Sequence, residues 1–239
     1  MIKFLRNLLL TLIVVAIAGF IALMALGNYF IDRAEGPLTQ KLIAVFGPGE
    51  DDQYGYIGGL KFKPFRMTVN NLFVEADALE VGGVVWTDAR VDVESVECDP
   101  MKLIRENEVV VTGASGRSFS GSLNNSTLAQ LLESNSENMR SVRIRRDNDD
   151  RCNITGRFGL VSAAPITVIG RWGIDDRGVA TLLDREYHNP DSPVPEGMIE
   201  LIEDQISFDI RINLFGGELP AREVSYTADG LRLVASEAQ

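Results

Sequence analysis

The sequence predicts an α+β protein: an N-terminal membrane segment, then a single domain built as a large antiparallel sheet with one or two helices against it. Three observations carry that prediction. From Asn7 to Ile31 there is no charged side chain. Beyond residue 54 most segments alternate apolar and polar residues with a period of two, the pattern of strands that bury one face. Only a few short stretches recur at the helical spacing instead.

The first element is the run "LLLTLIVVAIAGFIALMAL", Leu8 to Leu26. A helix crosses a bilayer in about 20 apolar residues, so the run is long enough. Lys3 and Arg6 precede it, and the positive-inside bias keeps that end in the cytoplasm. Residues 1–34 are therefore expected to be a single-pass anchor, with everything after them extracytoplasmic. A cleaved signal peptide is the competing reading, because Ala25 and Gly27 are small residues in a suitable arrangement.

Residues 35–54 read as a juxtamembrane helix and linker. Leu38, Leu42, Ile43 and Phe46 fall at helical spacing, with Pro37 suited to a first turn and Gly47 to a stop. The following "GPGEDDQYG" is a linker by its Gly, Pro and acid content. Residues 55–239 then form the β-rich domain.

Within that domain "RMTVNNLFVEADALEVGG", "ARVDVESVECDP", "MRSVRIRRD", "CNITGRFGLV", "ITVIGRWGID" and "GVATLLDREY" read as strands. The cleanest alternation is "ISFDIRINL", where Ile206, Phe208, Ile210, Ile212 and Leu214 share one face. "REVSYTADGLRLVASEA" follows as a hairpin with Asp229-Gly230 at its turn. Two helices are expected. In "NNSTLAQLLESNSENM", Thr127 and Gln130 fit a capping box, and Leu128, Leu131 and Leu132 form a stripe. In "DSPVPEGMIELIEDQ", Pro195 opens a helix whose Met198, Leu201 and Ile202 face inward.

Charge narrows the function classes. Without residues 1–33 the chain carries a formal charge of −13, a surface that nucleic-acid phosphates and anionic headgroups repel. Nucleic acid is not expected as a partner, and contact with lipid is expected through apolar surface.

The stretch "VVVTGASGRSFSGSLN", residues 109 to 124, tests for chemistry. A nucleophile elbow needs G-x-S-x-G. Gly116 and Ser118 fit, but position 120 is a serine, and His188 is the only imidazole in the chain. A phosphate loop needs a G-K-[ST] that is absent. The stretch instead reads as two short strands, "EVVVTG" and "RSFSGSL", with "ASG" as the turn and Phe119, Gly121 and Leu123 on one face.

Other clusters are equally plain. Asp147 to Asp150 lacks the spacing of a calcium loop and reads as a solvated turn, and Glu50 to Asp52 as linker. Trp86 and Trp172 lie in strand-like runs and belong in or beside the core. No metal site, cofactor or catalytic constellation is expected, so the protein is read as a binding protein and not an enzyme. Cys98 and Cys152 are either a disulfide, permitted in an exported segment, or two separate thiols; the Cα separation decides.

The "RSFSGSL" strand leading into "STLAQLL", and the terminal "ISFDIRINL" with "ELPAREVSYTADGLRLVASE", resemble the LmeA-like phospholipid-binding family of bacterial envelope proteins. Leu219-Pro220, Val224, Asp229, Gly230, Leu231 and Leu233 carry the likeness. The resemblance implies a tubular lipid-binding-like domain, a long curved sheet around a helix with an apolar groove. It implies a bacterial inner-membrane location, a periplasmic domain, and a phospholipid ligand. Phe119, Leu128, Leu131, Leu132, Ile206, Phe208, Ile210 and Ile212 are expected to line the groove. An assembly module that docks another envelope protein is the alternative, and an enzyme acting on lipids or cell-wall precursors the third reading.

Overall fold

The computed structural model describes residues 38–42, 54–63, 66–106, 108–136, 139–147, 150–158, 165–189, 193–206, 210–227 and 230–237. Among these no helix is long and apolar enough to cross a membrane. The anchor at 1–34, the linker acids Glu50 to Asp52 and the groove residue Phe208 lie outside them. Residues 38–42 are helical, and Leu38 and Leu42 are buried, as the spacing of that segment predicts.

The domain is mostly antiparallel sheet. One sheet has six strands in the order β1 (Tyr54–Lys63), β2 (Arg66–Val81), β3 (Val84–Cys98), β4 (Val111–Asn124), β12 (Gly230–Ser236), β11 (Ala221–Tyr226). A second has four, β5 (Met139–Arg146), β6 (Arg151–Phe158), β7 (Ile166–Ile174) and β8 (Ala180–His188), paired in chain order. β9 (Ile212–Leu214) and β10 (Gly217–Leu219) form a small hairpin. The helices are α1 (Pro100–Glu106), α2 (Asn125–Asn135) and α3 (Glu196–Ile206). α2 follows β4, packs on β5 and touches β12, and so ties the two sheets into one core.

The long strands β2 and β3 change their buried phase twice without losing register. Buried Val69 is followed by buried Leu72, and buried Val93 by buried Val96. Asn71, at φ 51°, takes up the shift on β2, while Asn70↔Ser95 and Leu72↔Val93 remain in register on either side. The second shift lies between Ala76 and Leu79, where Asp88 of β3 has φ 47°. Irregularities of this kind bend a strand and raise its local twist.

Several expectations are corrected. Residues 111–124 are one strand, not two joined by a turn; the "ASG" residues stay paired, with Val96↔Ala114 and Ser95↔Ser115 in register. Gly116, at φ 62°, is the irregular point, and the side chain of Glu94 passes where its Cβ would stand. α2 is capped by Asn124, whose Oδ1 accepts from the Thr127 N–H at 2.8 Å, so the Thr127-Gln130 box is not the cap. "ISFDIRINL" is no continuous strand: α3 runs through Ile206, Ile210 makes a single bridge to Ala180, and pairing resumes at Ile212. Ile202 and Ile206 are also four apart, so Ile206 satisfies a helical period equally well. Gly230 opens β12 and is bonded through its carbonyl to the Thr227 N–H at 2.8 Å.

Three elements were not expected, the short β10 among them. β1 is rich in glycine, which weakens a strand signal. α1 is short, yet Asp99 caps it through bonds from the Met101 and Lys102 N–H groups, Pro100 takes the first turn, and Lys102 reaches Glu106 at 2.7 Å.

Cys98 and Cys152 are separate, buried thiols, one in each sheet. Burial pushes the Cys98 thiol up to about 11 and the Cys152 thiol up to about 12. The thiolate is the reactive form, so neither is reactive near neutrality. Alkylation of the folded protein at pH 8 is expected to run at least about a hundredfold slower than for a free thiol, and to become fast in denaturant. Reducing agent should leave the melting temperature unchanged; a drop on reduction would show a bond.

Candidate functional site

The inner face, where the sequence places a lipid groove, is packed. Phe119, Leu128, Leu132, Ile210 and Ile212 are at most 5% exposed and belong to one continuous core. Leu131 is half-buried at its margin. Ile206 ends α3, and its side chain, like Phe208, lies outside what is described. Trp86 stacks edge-on against Phe119 with ring centroids 5.1 Å apart. α2 contributes Leu128 and Leu132, α3 contributes Ile202, and the β9–β10 hairpin contributes Ile212, Leu214 and Leu219. Among the described residues the exposed large apolar side chains are Tyr56, Val85 and Met101. The sheet therefore has no spare apolar face there.

A concavity lies at the level of the Asn71, Glu94 and Gly116 irregularities and opens on the outer face. It is a cleft of about 860 Å³. Tyr56, Phe73, Asp92, Ser118 and Ser236 stand in one register row across β1, β2, β3, β4 and β12, and all five line it. At one end the Tyr56 and Phe73 rings stack at 5.2 Å. The Arg90 guanidinium lies 4.7 Å over Phe73 and is paired with Asp92 at 2.8 Å.

At the other end sit Arg117 and Arg222. Arg117 is held by Glu237: its backbone N–H donates to Oε2 at 3.1 Å and its Nε to Oε1 at 2.6 Å, while Nη1 donates to the Leu214 carbonyl at 2.7 Å. Burial acts to raise the Glu237 pKa, but the Arg117 N–H and guanidinium outweigh it and hold the carboxyl below its ordinary value. Arg222 is exposed, donates from Nε to the Ser236 carbonyl at 3.3 Å, and has no carboxylate partner among the described residues. The cleft thus offers an aromatic shelf at one end and, at the other, an arginine with no carboxylate partner among the described residues, while the exposed Glu94 also lines it.

No family model, curated protein or solved structure matches this chain. Among the described residues no group of His, Cys, Asp and Glu could hold a metal ion. His188, the single imidazole, is exposed on β8 with Glu186 at 3.7 Å, in the four-stranded sheet and so on a different sheet from Ser118 and Ser120 of β4. Sequence reasoning missed the cleft because its residues come from six strands, five of them joined only by a register row. The one available signal was Arg222 and Tyr56 flanking apolar strand residues, too common a pattern to single out.

Proposed function

We propose that this protein is a membrane-anchored, extracytoplasmic phospholipid-binding protein of the cell envelope, and that its lipid site is the outer-face cleft and not the packed inner face. The observation that carries the reading is the presence in one cleft of the Tyr56–Phe73 stack and of Arg222, which has no carboxylate partner among the described residues. An amphipathic anion matches both ends: its phosphate meets a guanidinium, which binds phosphates well, and its apolar part meets the ring of Tyr56. The charge-free run of Leu8 to Leu26 supports the reading, since as a membrane anchor it would hold such a domain beside its ligand.

The packed core favours a second reading, an assembly module that docks a partner protein on this same face. Native mass spectrometry of residues 35–239, purified without detergent, separates the two. The expected result is a bound mass in the lipid range that is released on unfolding. Tyr56→Ala with Arg222→Gln should lower occupancy at least about tenfold, the worth of one charge-assisted hydrogen bond with its aromatic contact. A clean apo mass that persists after incubation with envelope lipid extract would overturn the lipid reading in favour of docking.

A further inference from the structure

The four-stranded sheet carries a second surface that the cleft does not involve. The chain has 34 acidic and 23 basic residues, yet residues 140–157 hold six arginines against three aspartates. The sheet explains where those arginines go. Met139, Val142 and Ile144 of β5 are buried, and Ser141, at φ 57°, is a bulge that lets both Met139 and Val142 turn inward. Arg140, Arg143 and Arg145 are thereby exposed on the other side. On β6, Cys152, Ile154 and Phe158 point in, and Arg157 is exposed.

The charges on this face are distributed unevenly. Toward β8, Arg151 pairs with Glu186 at 2.8 Å and Arg171 with Asp184 at 3.0 Å. Toward β5, Arg140, Arg143, Arg145 and Arg157 have no carboxylate partner among the described residues. Arg140 and Arg157 stand directly opposite in register, an arrangement that costs stability in a sheet. The one carboxylate of α2, Glu133, accepts from the Val142 N–H at 2.6 Å and lines a shallow pocket with Arg143 and Arg145, to neither of which it is ion-paired. Asp147 accepts from the Asn153 amide at 3.2 Å, in the turn at the far end of β5. Four arginines on one face with no carboxylate partner among the described residues make a surface suited to an external anion.

We propose that this β5–β6 face docks on the anionic phospholipid headgroups of the membrane that holds the N-terminal run. The inference rests on the anchored part of the reading above and not on the cleft. Only residues 27–37 separate the end of the apolar run from Leu38, which is already packed in the core. Fully extended, such a connection reaches roughly 40 Å, so the domain stays at the bilayer and the face meets headgroups at high effective concentration. Arginines beside an anionic leaflet are attracted individually and additively within a Debye length. The net negative charge of the domain works against association of the whole, and it orients the domain so that this face alone turns inward.

The test uses the full chain in lipid nanodiscs, of phosphatidylcholine alone or with a third of the lipid as phosphatidylglycerol, and follows backbone hydrogen exchange. In the anionic discs β5 and β6 are expected to exchange several-fold more slowly, with β2 and β3 unchanged. The protection should vanish at ~0.5 M salt, where the Debye length is about 4 Å, and in the Arg140→Gln, Arg143→Gln, Arg145→Gln, Arg157→Gln variant. Should that variant lose exchange protection in β2 and β3, Arg157→Gln alone is used. It relieves the opposed pair, keeps the fold, and should lose part of the effect. Equal exchange in the two discs overturns the proposal, and so does protection that needs added envelope protein, which would assign the face to an acidic protein. A chain that enters neither disc removes the anchor, whereas failure of the cleft reading leaves the nanodisc result intact.

Discussion

Replacing Leu128 by aspartate is expected to unfold the domain and not to empty a lipid site. Leu128 is fully buried, in the helix that joins the two sheets. Truncating a buried leucine costs about 2–5 kcal/mol from lost transfer energy and cavity formation. An unpaired carboxylate adds several more, or must take up a proton to stay inside. Against a total stability of about 5–15 kcal/mol for a domain, little folded protein remains. Leu131→Asp, three positions along the same helix but half-buried, should fold and lose about 1 kcal/mol or less. Urea unfolding followed by circular dichroism reads both. A Leu128→Asp protein that stays folded and loses bound lipid would show that the inner face opens, and would return the site to the residues that the sequence first suggests.

That contrast locates what the sequence made legible. Alternation marked one face of each long strand, and Phe119, Val91, Val93 and Ile154 are buried as alternation requires. It could not say whether that face is closed. Closure depends on which elements come back over it, and the β9–β10 hairpin does so with three-residue strands too short to be periodic. The step from Val93 to Val96 on β3 can be read in the spacing of the valines, but the other shifts of β2 and β3 cannot. Asn71 and Asp88 read in sequence as ordinary polar residues, and their positive φ appears only once both partner strands are in place.

The candidate site was less legible, for a related reason. Net charge is a sum over many residues, and −13 beyond residue 33 correctly describes the domain as acidic. It conceals that Arg140, Arg143, Arg145 and Arg157 are gathered on one face by a bulge at Ser141 and by the pairing of β5 with β6. The cleft is a register row, and register is set by pairing partners far apart in sequence: Tyr56 and Ser236 share it through three intervening strands. The helix caps, by contrast, are local. Asn124 and Asp99 both act within three residues, although the capping-box pattern selects Thr127-Gln130 over Asn124 and the spacing predicts no helix after Asp99.

Gly230→Ala is expected to be the most damaging single-methyl change in the domain. Gly230 has φ 146°, a region that L side chains rarely adopt, and it faces Asn124 at the end of β4. A Cβ there would stand 1.9 Å from the Leu123 carbonyl oxygen and 2.8 Å from the Asn124 Cα. Both are backbone atoms of a strand paired on each side, so no rotamer change relieves the overlap. Either β4 and β12 separate, which loosens the sheet at the start of α2, or Gly230 rotates and gives up its bond to Thr227. Strain and overpacking of this kind cost about 2–4 kcal/mol, or roughly 5–15 °C in Tm for a domain of this size. Differential scanning calorimetry measures it, with Gly197→Ala as the control: Gly197 lies in α3, nothing stands within 4 Å of its Cβ position, and its Tm should hold or rise. An unchanged Tm in Gly230→Ala would mean that β4 and β12 are not joined at Gly230↔Asn124. The junction that seats α2 between the sheets, and with it the closed inner face, would then have to be redrawn.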